Sequence, residues 1–220
     1  MKEIGNILLS WRKGDGSRRY VIGVLKRNKV EGVRFSYIEE GVLSARKEGF
    51  TPYTEFPEVN KIYTKNVLEI FGQRLLKVER SDSSDFFRFW EIDEKYKEDK
   101  FYLLAHTMGL TPTDNFEFLA DYNPVRELKF ITDIAGISYR KLDKTCLEVG
   151  DRLRVLFEPN NEFDKNAVAV YKDDLHLGYI KIVHNLVFHK KRGSNISLIV
   201  KAREVNGSLK KAFVKVSFDG

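Results

Sequence analysis

A succession of short apolar segments, separated by turn signals, fills residues 128–218 and constrains the fold more than any other feature. In the clearest segment, Leu153, Val155 and Phe157 occupy every second position, as in a strand with one buried face. The expected strands span 130–141, 153–157, 167–171, 177–180, 196–202 and 212–218, with one helix over 182–190. The pair Asn206-Gly207, between the last two strands, is a favoured hairpin turn. Short strands at this spacing with one helix predict a small β-barrel.

The first part of the chain mixes strand and helix signals. The turn cluster Lys13–Ser17 separates two strand-like segments and therefore predicts a hairpin. Its glycines fit no nucleotide-binding motif, so a turn is favoured over a phosphate-binding loop. A third strand is expected over Gly32–Ile38, and the following ten residues are either a helix or a loop. Helices are expected over 67–76, after the possible caps 81–85, and over 101–108. The predicted class is α+β, with a small N-terminal sheet and about three helices, and a C-terminal β-barrel with one or two short helices.

Two breaks divide the chain. Thr111–Asp114 and Asn123-Pro124 interrupt the pattern and place a domain boundary near residues 122–128. We expect one domain over 1–125 and a second over 126–220. Between the breaks, a linker is expected to pack on one of the two domains through Phe116, Phe118 and Leu119.

Two aromatic clusters in the first domain suit either core packing or a partner surface. Gly49–Pro57 combines two prolines with a ring at every third residue, so this extended segment either docks a partner or is pinned over the core. Four bulky rings crowd Phe86–Trp90, too many for one helical face, so some are expected to meet a partner. The expected partner-binding residues are Phe87, Phe89 and Trp90.

The composition indicates a globular cytoplasmic protein. The 220 residues suffice for one large or two small domains, and 42% of them are apolar. No apolar run approaches the roughly 18 residues that a membrane helix needs. Gly5–Ser10 is too short for the apolar core of a signal peptide. Cys146 is the single cysteine and offers neither an internal disulfide nor a metal-binding spacing.

The positive charge is unevenly distributed. Residues 1–125 hold 20 Lys/Arg and 20 Asp/Glu, whereas residues 126–220 hold 18 Lys/Arg and 12 Asp/Glu, so the net charge of +6 lies in the second part. Such an excess favours a polyanionic partner such as nucleic acid, although it also serves solubility.

The segment Glu158–Tyr171, with the sequence EPNNEFDKNAVAVY, is the strongest indication of a binding site. Its proline and asparagines form a turn, Phe163 and Asp164 follow, and an apolar strand begins at Ala167. A large aromatic residue beside a carboxylate, on a turn that enters a buried strand, suits binding better than packing.

Residues 128–218 resemble a HIRAN domain. The matching positions are Gly136 and Tyr139, then Leu147, Gly150, Asp151 and Leu153, then most of the run from Glu158 to Val170, and finally Leu177 to Ile180. The resemblance implies an OB-like, six-stranded barrel with a helix. Some members of the family are fused to DNA-remodelling enzymes and capture the 3′-hydroxyl end of single-stranded DNA, and others occur in bacterial proteins of unknown role.

The resemblance also implies roles for individual residues. Tyr139 and Phe163 would stack on the terminal bases, and Asp164 would accept a hydrogen bond from the 3′-hydroxyl. Asn161 would contact the sugar-phosphate, and Phe213 would help to wall the pocket. The expected nucleic-acid contacts are Tyr139, Arg140, Lys141, Asn161, Phe163, Asp164, Tyr179, Lys181 and Phe213.

Three departures from the DNA-binding pattern bear on the ligand. Ser138 stands where that pattern has an arginine, Ile182 stands where it has a second lysine, and Phe163 replaces a tyrosine. Two missing cations imply weaker binding or a different ligand. Alternatively, Phe163 and Asp164 serve only the turn, with Asp164 capping backbone amides ahead of the strand.

The N-terminal part resembles the small N-terminal subdomain of HipA-type kinases, which also exists as a separate protein in toxin–antitoxin modules. The likeness follows the order of Ile22–Leu25, then Val33, Phe35 and Tyr37, then the aromatic-proline segment and the helix 67–76. The kinase core is absent. The resemblance implies an antitoxin-like subunit that binds a separately encoded HipA-like kinase.

No catalytic or metal-binding constellation is evident. The paired acids Asp173-Asp174 and Glu39-Glu40 lie in charged turns without a basic or nucleophilic partner at motif spacing. His184 and His189 are five apart rather than the four of a helical metal pair, and His106 and His176 are isolated. We therefore expect a binding protein with no enzymatic activity and no cofactor.

Overall fold

The structure, a computed structural model, describes residues 2–75 and 83–219. It divides into two compact units: the N-terminal unit is Ile4–Asp121, and the C-terminal unit is the chain from Tyr122 with the residues before Ile4. The last residue of the predicted helix 67–76 and the possible caps Ser81 and Asp82 lie outside the described residues.

The N-terminal unit is built on one sheet. Its strands are β1 (Ile4–Arg12), β2 (Arg19–Asn28), β3 (Gly32–Tyr37), β4 (Ile62–Tyr63) and β5 (Phe116–Tyr122), in the order β4–β3–β2–β1–β5. The pairs β1–β2, β2–β3 and β3–β4 are antiparallel. Ile7, Leu25 and Phe35 lie side by side across three strands and are fully buried, because alternate residues share one face of a strand.

The described part of this unit holds four α-helices, where about three were predicted. They are α1 (Glu39–Arg46), α2 (Val67–Phe71), α3 (Ser83–Phe89) and α4 (Lys100–Thr107). The additional helix is α1, in the segment that the sequence left open between helix and loop. The carboxylate of Asp99 begins α4 by accepting hydrogen bonds from the backbone amides of Phe101 (3.0 Å) and Tyr102 (3.1 Å).

The aromatic-proline segment Gly49–Pro57 is pinned over the core. The ring of Phe56 lies 5.2 Å from that of Phe35 and 4.9 Å from that of Phe71, and it is almost fully buried. The hydroxyl of Tyr37 donates to the carbonyl of Phe56 (2.9 Å) and accepts from the amide of Tyr53 (2.8 Å). Burial raises the pKa of Tyr37 to about 12, so this hydroxyl remains a donor to the segment. Core packing therefore explains these aromatics.

Two of the three expected partner-binding rings are core residues. Phe87 and Trp90 are buried, and Phe89 is half-buried with its ring 5.2 Å from that of Trp90. The ring of Phe86 also lies 5.8 Å from that of Phe87 and 6.4 Å from that of Trp90, so these crowded rings pack on one another within the chain.

The expected linker around Phe116 is a strand. Phe118 and Leu119 lie in β5, which pairs with β1, and both are fully buried. The ring of Phe118 packs 4.9 Å from that of Phe71. These residues therefore belong to the core of the N-terminal unit.

The C-terminal unit is a six-stranded antiparallel sheet. Its strands are β6 (Lys129–Asp133), β7 (Arg152–Glu158), β8 (Ala167–Lys172), β9 (Leu175–Tyr179), β10 (Asn195–Asn206) and β11 (Ser208–Asp219). Their order is β6–β11–β10–β7–β8–β9. The hairpin at Asn206-Gly207 joins β10 to β11, and these strands are longer than predicted.

The sheet curves towards a barrel but does not close. An isolated bridge joins Ala135, two residues after the end of β6, to Tyr179 on β9, and these residues exchange backbone hydrogen bonds of 2.7 and 2.9 Å. Gly178 permits this approach, because a Cβ at that position would lie 2.3 Å from the carbonyl oxygen of Ala135. The predicted OB-like β-barrel is therefore corrected to a six-stranded sheet that is not closed.

One helix, α5 (His184–Lys190), packs on the inner face of this sheet. The Nδ1 atom of His184 lies 2.9 Å from the hydroxyl of Thr132 on β6, and Phe188 packs 5.1 Å from Phe218 on β11. No helix in the described residues is long and apolar enough to cross a membrane.

Candidate functional site

The loop from Asn160 to Asn166, between β7 and β8, is held by its own side chains. The Oδ1 atom of Asn161 accepts hydrogen bonds from the backbone amides of Phe163 (3.0 Å) and Asp164 (3.2 Å). An asparagine that bonds amides two and three residues on forms an Asx turn. Asn161 was expected to contact a sugar-phosphate, but in this structure its Oδ1 atom shapes the loop.

Asp164 anchors the other end of this loop. Its Oδ1 atom accepts from the amide of Asn166 (2.8 Å), and its Oδ2 atom accepts from the side-chain amide of Asn185 on α5 (2.7 Å). Asn185 and His189 also lie 3.0 and 3.1 Å from the carbonyl oxygen of Asn166. The carboxylate is half-buried, and with about four acceptor positions it can accept a further hydroxyl donor. Asp164 therefore caps a backbone amide of the turn, as expected, and its carboxylate still has acceptor positions for a ligand.

Phe163 points away from the core on this fixed loop. Its side chain is 86% exposed, the largest exposure among the aromatic residues of the described chain. Isolated exposed apolar residues are common, but a large ring held outward by a hydrogen-bonded loop presents both faces to a ligand.

A polar cluster beneath the loop fixes its base. The Oε2 atom of Glu158 accepts from the amide of Asn161 (2.9 Å) and from the hydroxyl of Tyr179 (3.2 Å). Burial and then the carboxylate of Glu158 raise the pKa of Tyr179, so the hydroxyl stays protonated and donates. Tyr179 was expected to touch nucleic acid, and here it joins β9 to the base of the loop.

Tyr139 lies on a 3₁₀ turn and not on the expected opening strand. Gly136 adopts a left-handed conformation (φ 78°) after β6, and the turn Ile137–Arg140 follows and lies against β9 and β11. Tyr139 is 67% exposed. Arg140 and Lys141 are exposed beside it. The turn therefore carries an exposed ring and two cations.

Arg140 meets a histidine. Its Nη2 atom lies 3.4 Å from the Nε2 atom of His176, which is also 2.9 Å from the carbonyl oxygen of Gly178. Partial burial and then the nearby positive charge of Arg140 lower the pKa of His176. The folded protein therefore favours the neutral imidazole, and protonation of His176 at low pH opposes folding.

Replacing Arg140 by glutamine should raise the pKa of His176, because the second cause of its depression is removed while burial remains. Tyr171, Tyr179 and Glu158 are the other groups around the imidazole, and they are unchanged by the substitution. An NMR titration of the His176 ring protons measures the pKa. The variant Lys141→Gln is the control, and an equal response in both variants would contradict a local effect of Arg140.

Two expected site residues are not exposed: Lys181 is buried and Phe213 is half-buried. Lys181 is 3% exposed and forms an ion pair with Asp133, so it is a buried structural cation and not an exposed phosphate contact. Phe213 lies on β11 opposite Asp133 and is half-buried, with the ammonium of Lys211 4.7 Å above its ring. Ile182, which stands where the DNA-binding pattern of the family has a second lysine, is 42% exposed.

Sequence reasoning missed Glu158, Asn185 and His176 as parts of the site. Glu158 opens the motif, and its partner Tyr179 is 21 residues away, so their pairing follows from the sheet. Asn185 lies in the correctly expected helix, but no sequence signal indicates that it faces Asp164. The described residues contain no group of three His, Cys, Asp or Glu side chains suited to a metal ion.

Together these features define an open antiparallel β-sheet domain that presents aromatic rings and cations on ordered loops. Residues 128–210 match the family model of the HIRAN domain, which confirms the resemblance for this part of the chain. The match ends before β11 is complete. The likeness of the N-terminal unit to HipA-type kinases stays a prediction.

Two solved structures are similar to the chain over a comparable part. The crystal structure of the HIRAN domain of human HLTF has 18% sequence identity, with 41% of this chain and 74% of that chain covered and a TM-score of 0.34. A structural-genomics target from Lactobacillus plantarum has 21% identity, with 43% and 96% covered and the same TM-score of 0.34. No curated protein matches the chain significantly.

Proposed function

We propose that the C-terminal unit binds single-stranded DNA and holds its 3′ end at the loop Asn160–Asn166, as a non-catalytic cytoplasmic binding protein. The observation that carries the proposal is Phe163, an exposed ring on a loop that Asn161 and Asn185 hold in place. A preorganised ring binds at a low entropic cost, and stacking on a base contributes about 1–3 kcal/mol.

The end of the strand is read by Asp164. A 3′-hydroxyl donates to the remaining acceptor positions of this carboxylate, whereas a 3′-phosphate brings negative charge against it. Tyr139 supplies a second exposed ring, and Phe213 supports the wall of the pocket. The match of residues 128–210 to the HIRAN family model supports this assignment.

Electrostatic attraction comes from Arg140, Lys141 and the excess of six positive charges in residues 126–220. Lys181 takes no part in it, because its charge is paired with Asp133 inside the unit. Ser138 and Ile182 add no charge, so affinity should depend on stacking more than on phosphate contacts. A shallow salt dependence is the consequence.

The test compares two strands of one sequence that end in 3′-hydroxyl or 3′-phosphate, at two salt concentrations. The 3′-hydroxyl strand should bind at least roughly tenfold better, because a hydrogen bond to a charged group contributes about 1.5–3 kcal/mol. Asp164→Asn should reduce this preference, and Asp174→Asn, at a fully exposed turn carboxylate, should preserve it. Equal affinity of the wild-type protein for both strands would contradict recognition of the 3′-hydroxyl end.

A kinase partner for the N-terminal unit is a separate prediction. The burial of Phe87 and Trp90 removes two of the three residues expected to anchor it. We therefore place the function in the C-terminal unit.

A further inference from the structure

Four side chains form a continuous row across β7, β8 and β9. Arg154 pairs with Tyr171 across β7 and β8, and Tyr171 pairs with His176 across β8 and β9. Arg140, from the 3₁₀ turn against β9, reaches His176. We call Arg154, Tyr171, His176 and Arg140 the cross-strand row.

The members of the row are in direct contact. The guanidinium of Arg154 lies 4.5 Å above the ring of Tyr171, and the rings of Tyr171 and His176 stack at 4.6 Å with an interplanar angle of 17°. Because one face of Tyr171 meets His176, Arg154 covers the other face. The row therefore has a cation at each end and two polar rings between them.

The positive charges of Arg140 and Arg154 are only weakly neutralised by acidic side chains of the protein. In the described residues, no carboxylate forms an ion pair with Arg140. Arg154 donates its Nε–H to the carbonyl of Asp173 (2.9 Å), and its nearest acid is the fully exposed Asp174 at 3.7 Å. A guanidinium has five donors, so both arginines retain donors for another acceptor.

The row leads to the candidate end-binding loop. The ring of His176 lies 5.0 Å from that of Tyr179, and the hydroxyl of Tyr179 is 3.5 Å from the amide nitrogen of Asn161. Asn161 shapes the backbone at Phe163. A continuous line of contacts therefore connects the cations of the row with the loop proposed to hold the strand end.

We infer that the cross-strand row is a second subsite, which binds the phosphodiester backbone of the nucleotides that precede the terminal one. The inference rests on the proposed function, since it extends the strand away from the end held at Phe163. Neighbouring strands are about 4.8 Å apart, so a row across three strands offers donors over the length of more than one nucleotide. The two rings face each other, so they support phosphate contact at their polar edges and not base stacking.

The test measures binding of dithymidylate and octathymidylate, both with 3′-hydroxyl ends, to the full chain by calorimetry. Arg154→Gln should weaken octathymidylate binding roughly fivefold and lower its salt slope by about 0.7, the value for one phosphate contact on a single strand. It should leave dithymidylate binding within about twofold, because the short ligand does not reach the row. Arg154→Lys should restore part of the affinity for the longer strand, because it keeps the charge but loses the planar guanidinium that stacks on Tyr171.

Arg192→Gln is the matched control, because its guanidinium also lies over a ring, 5.1 Å above Phe157, and Phe157 faces the opposite side of β7 from Arg154. Equal losses of octathymidylate binding in the two glutamine variants would overturn the subsite, as would an equal loss for both ligands in Arg154→Gln. If the protein bound 3′-hydroxyl and 3′-phosphate strands equally well, but Arg154→Gln still weakened only octathymidylate binding, end recognition would be wrong and the subsite at the cross-strand row would stand. Absence of any octathymidylate binding would overturn both.

Discussion

Replacing Phe163 by alanine should weaken binding of a short single strand by roughly 5- to 150-fold, which corresponds to about 1–3 kcal/mol of stacking. The free energy of unfolding should hardly change, because the 86% exposed ring makes little contact with the fold. Asn161 and Asp164 hold the loop through its backbone, so the truncation removes the ring and keeps the loop.

Two further variants separate stacking from apolar contact. Phe163→Tyr keeps an aromatic face and should retain binding, whereas Phe163→Leu keeps an apolar side chain and should lose most of it. Val205→Ala, at an exposed apolar position on the tip of the β10–β11 hairpin, is the control for a general surface effect. Full affinity in Phe163→Ala, measured by the same titration, would remove the ring from the site.

Replacing Asp133 by alanine should destabilise the C-terminal unit by about 3–5 kcal/mol. The substitution removes a carboxylate that pairs with the buried Lys181, and breaking a buried ion pair from one side costs far more than the pair itself contributes. Native-state hydrogen exchange at the β11 amides measures this, since Phe213 on β11 pairs with Asp133 on β6.

A double replacement tests the cause of that loss. Asp133→Leu combined with Lys181→Met removes both charges and should recover much of the stability, because an apolar pair of similar volume needs no compensation. Asp174→Ala, which removes a fully exposed partner of Arg154, should cause no measurable change. If Asp133→Ala were as stable as Asp174→Ala, Lys181 would be available to solvent and to phosphate, as the sequence suggested.

Local patterns in the sequence located the strands of the C-terminal unit, except that the expected strand 130–141 ends at Asp133 and a 3₁₀ turn covers Ile137–Arg140. The alternation in β7 and the Asn206-Gly207 turn are properties of neighbouring residues, and they predict these elements without knowledge of the fold. Strand β5 was missed because Glu117 to Ala120 are all buried, so the period of two that marks a half-buried strand is absent.

Relations between distant residues could not be predicted. The sequence suggests that Lys181 is a surface cation, but in the fold it pairs with Asp133 on β6. The sequence likewise suggests that Phe87 and Trp90 are exposed, but both are buried in the N-terminal unit. Phe163 and Asp164 could be proposed as site residues from the sequence because one motif contains both. The contacts of Asp164 with Asn185 and of Glu158 with Tyr179 depend on how α5 and β9 pack.

An NMR titration of the isotope-labelled chain with a short strand that ends in 3′-hydroxyl tests the central claim most directly. The largest amide shifts should appear at Phe163, Asp164 and Tyr139, because we propose that the end of the strand is held at these residues. Shifts concentrated in Ile4–Asp121, or no shift at the loop Asn160–Asn166 when binding is saturated, would contradict the assignment of the site.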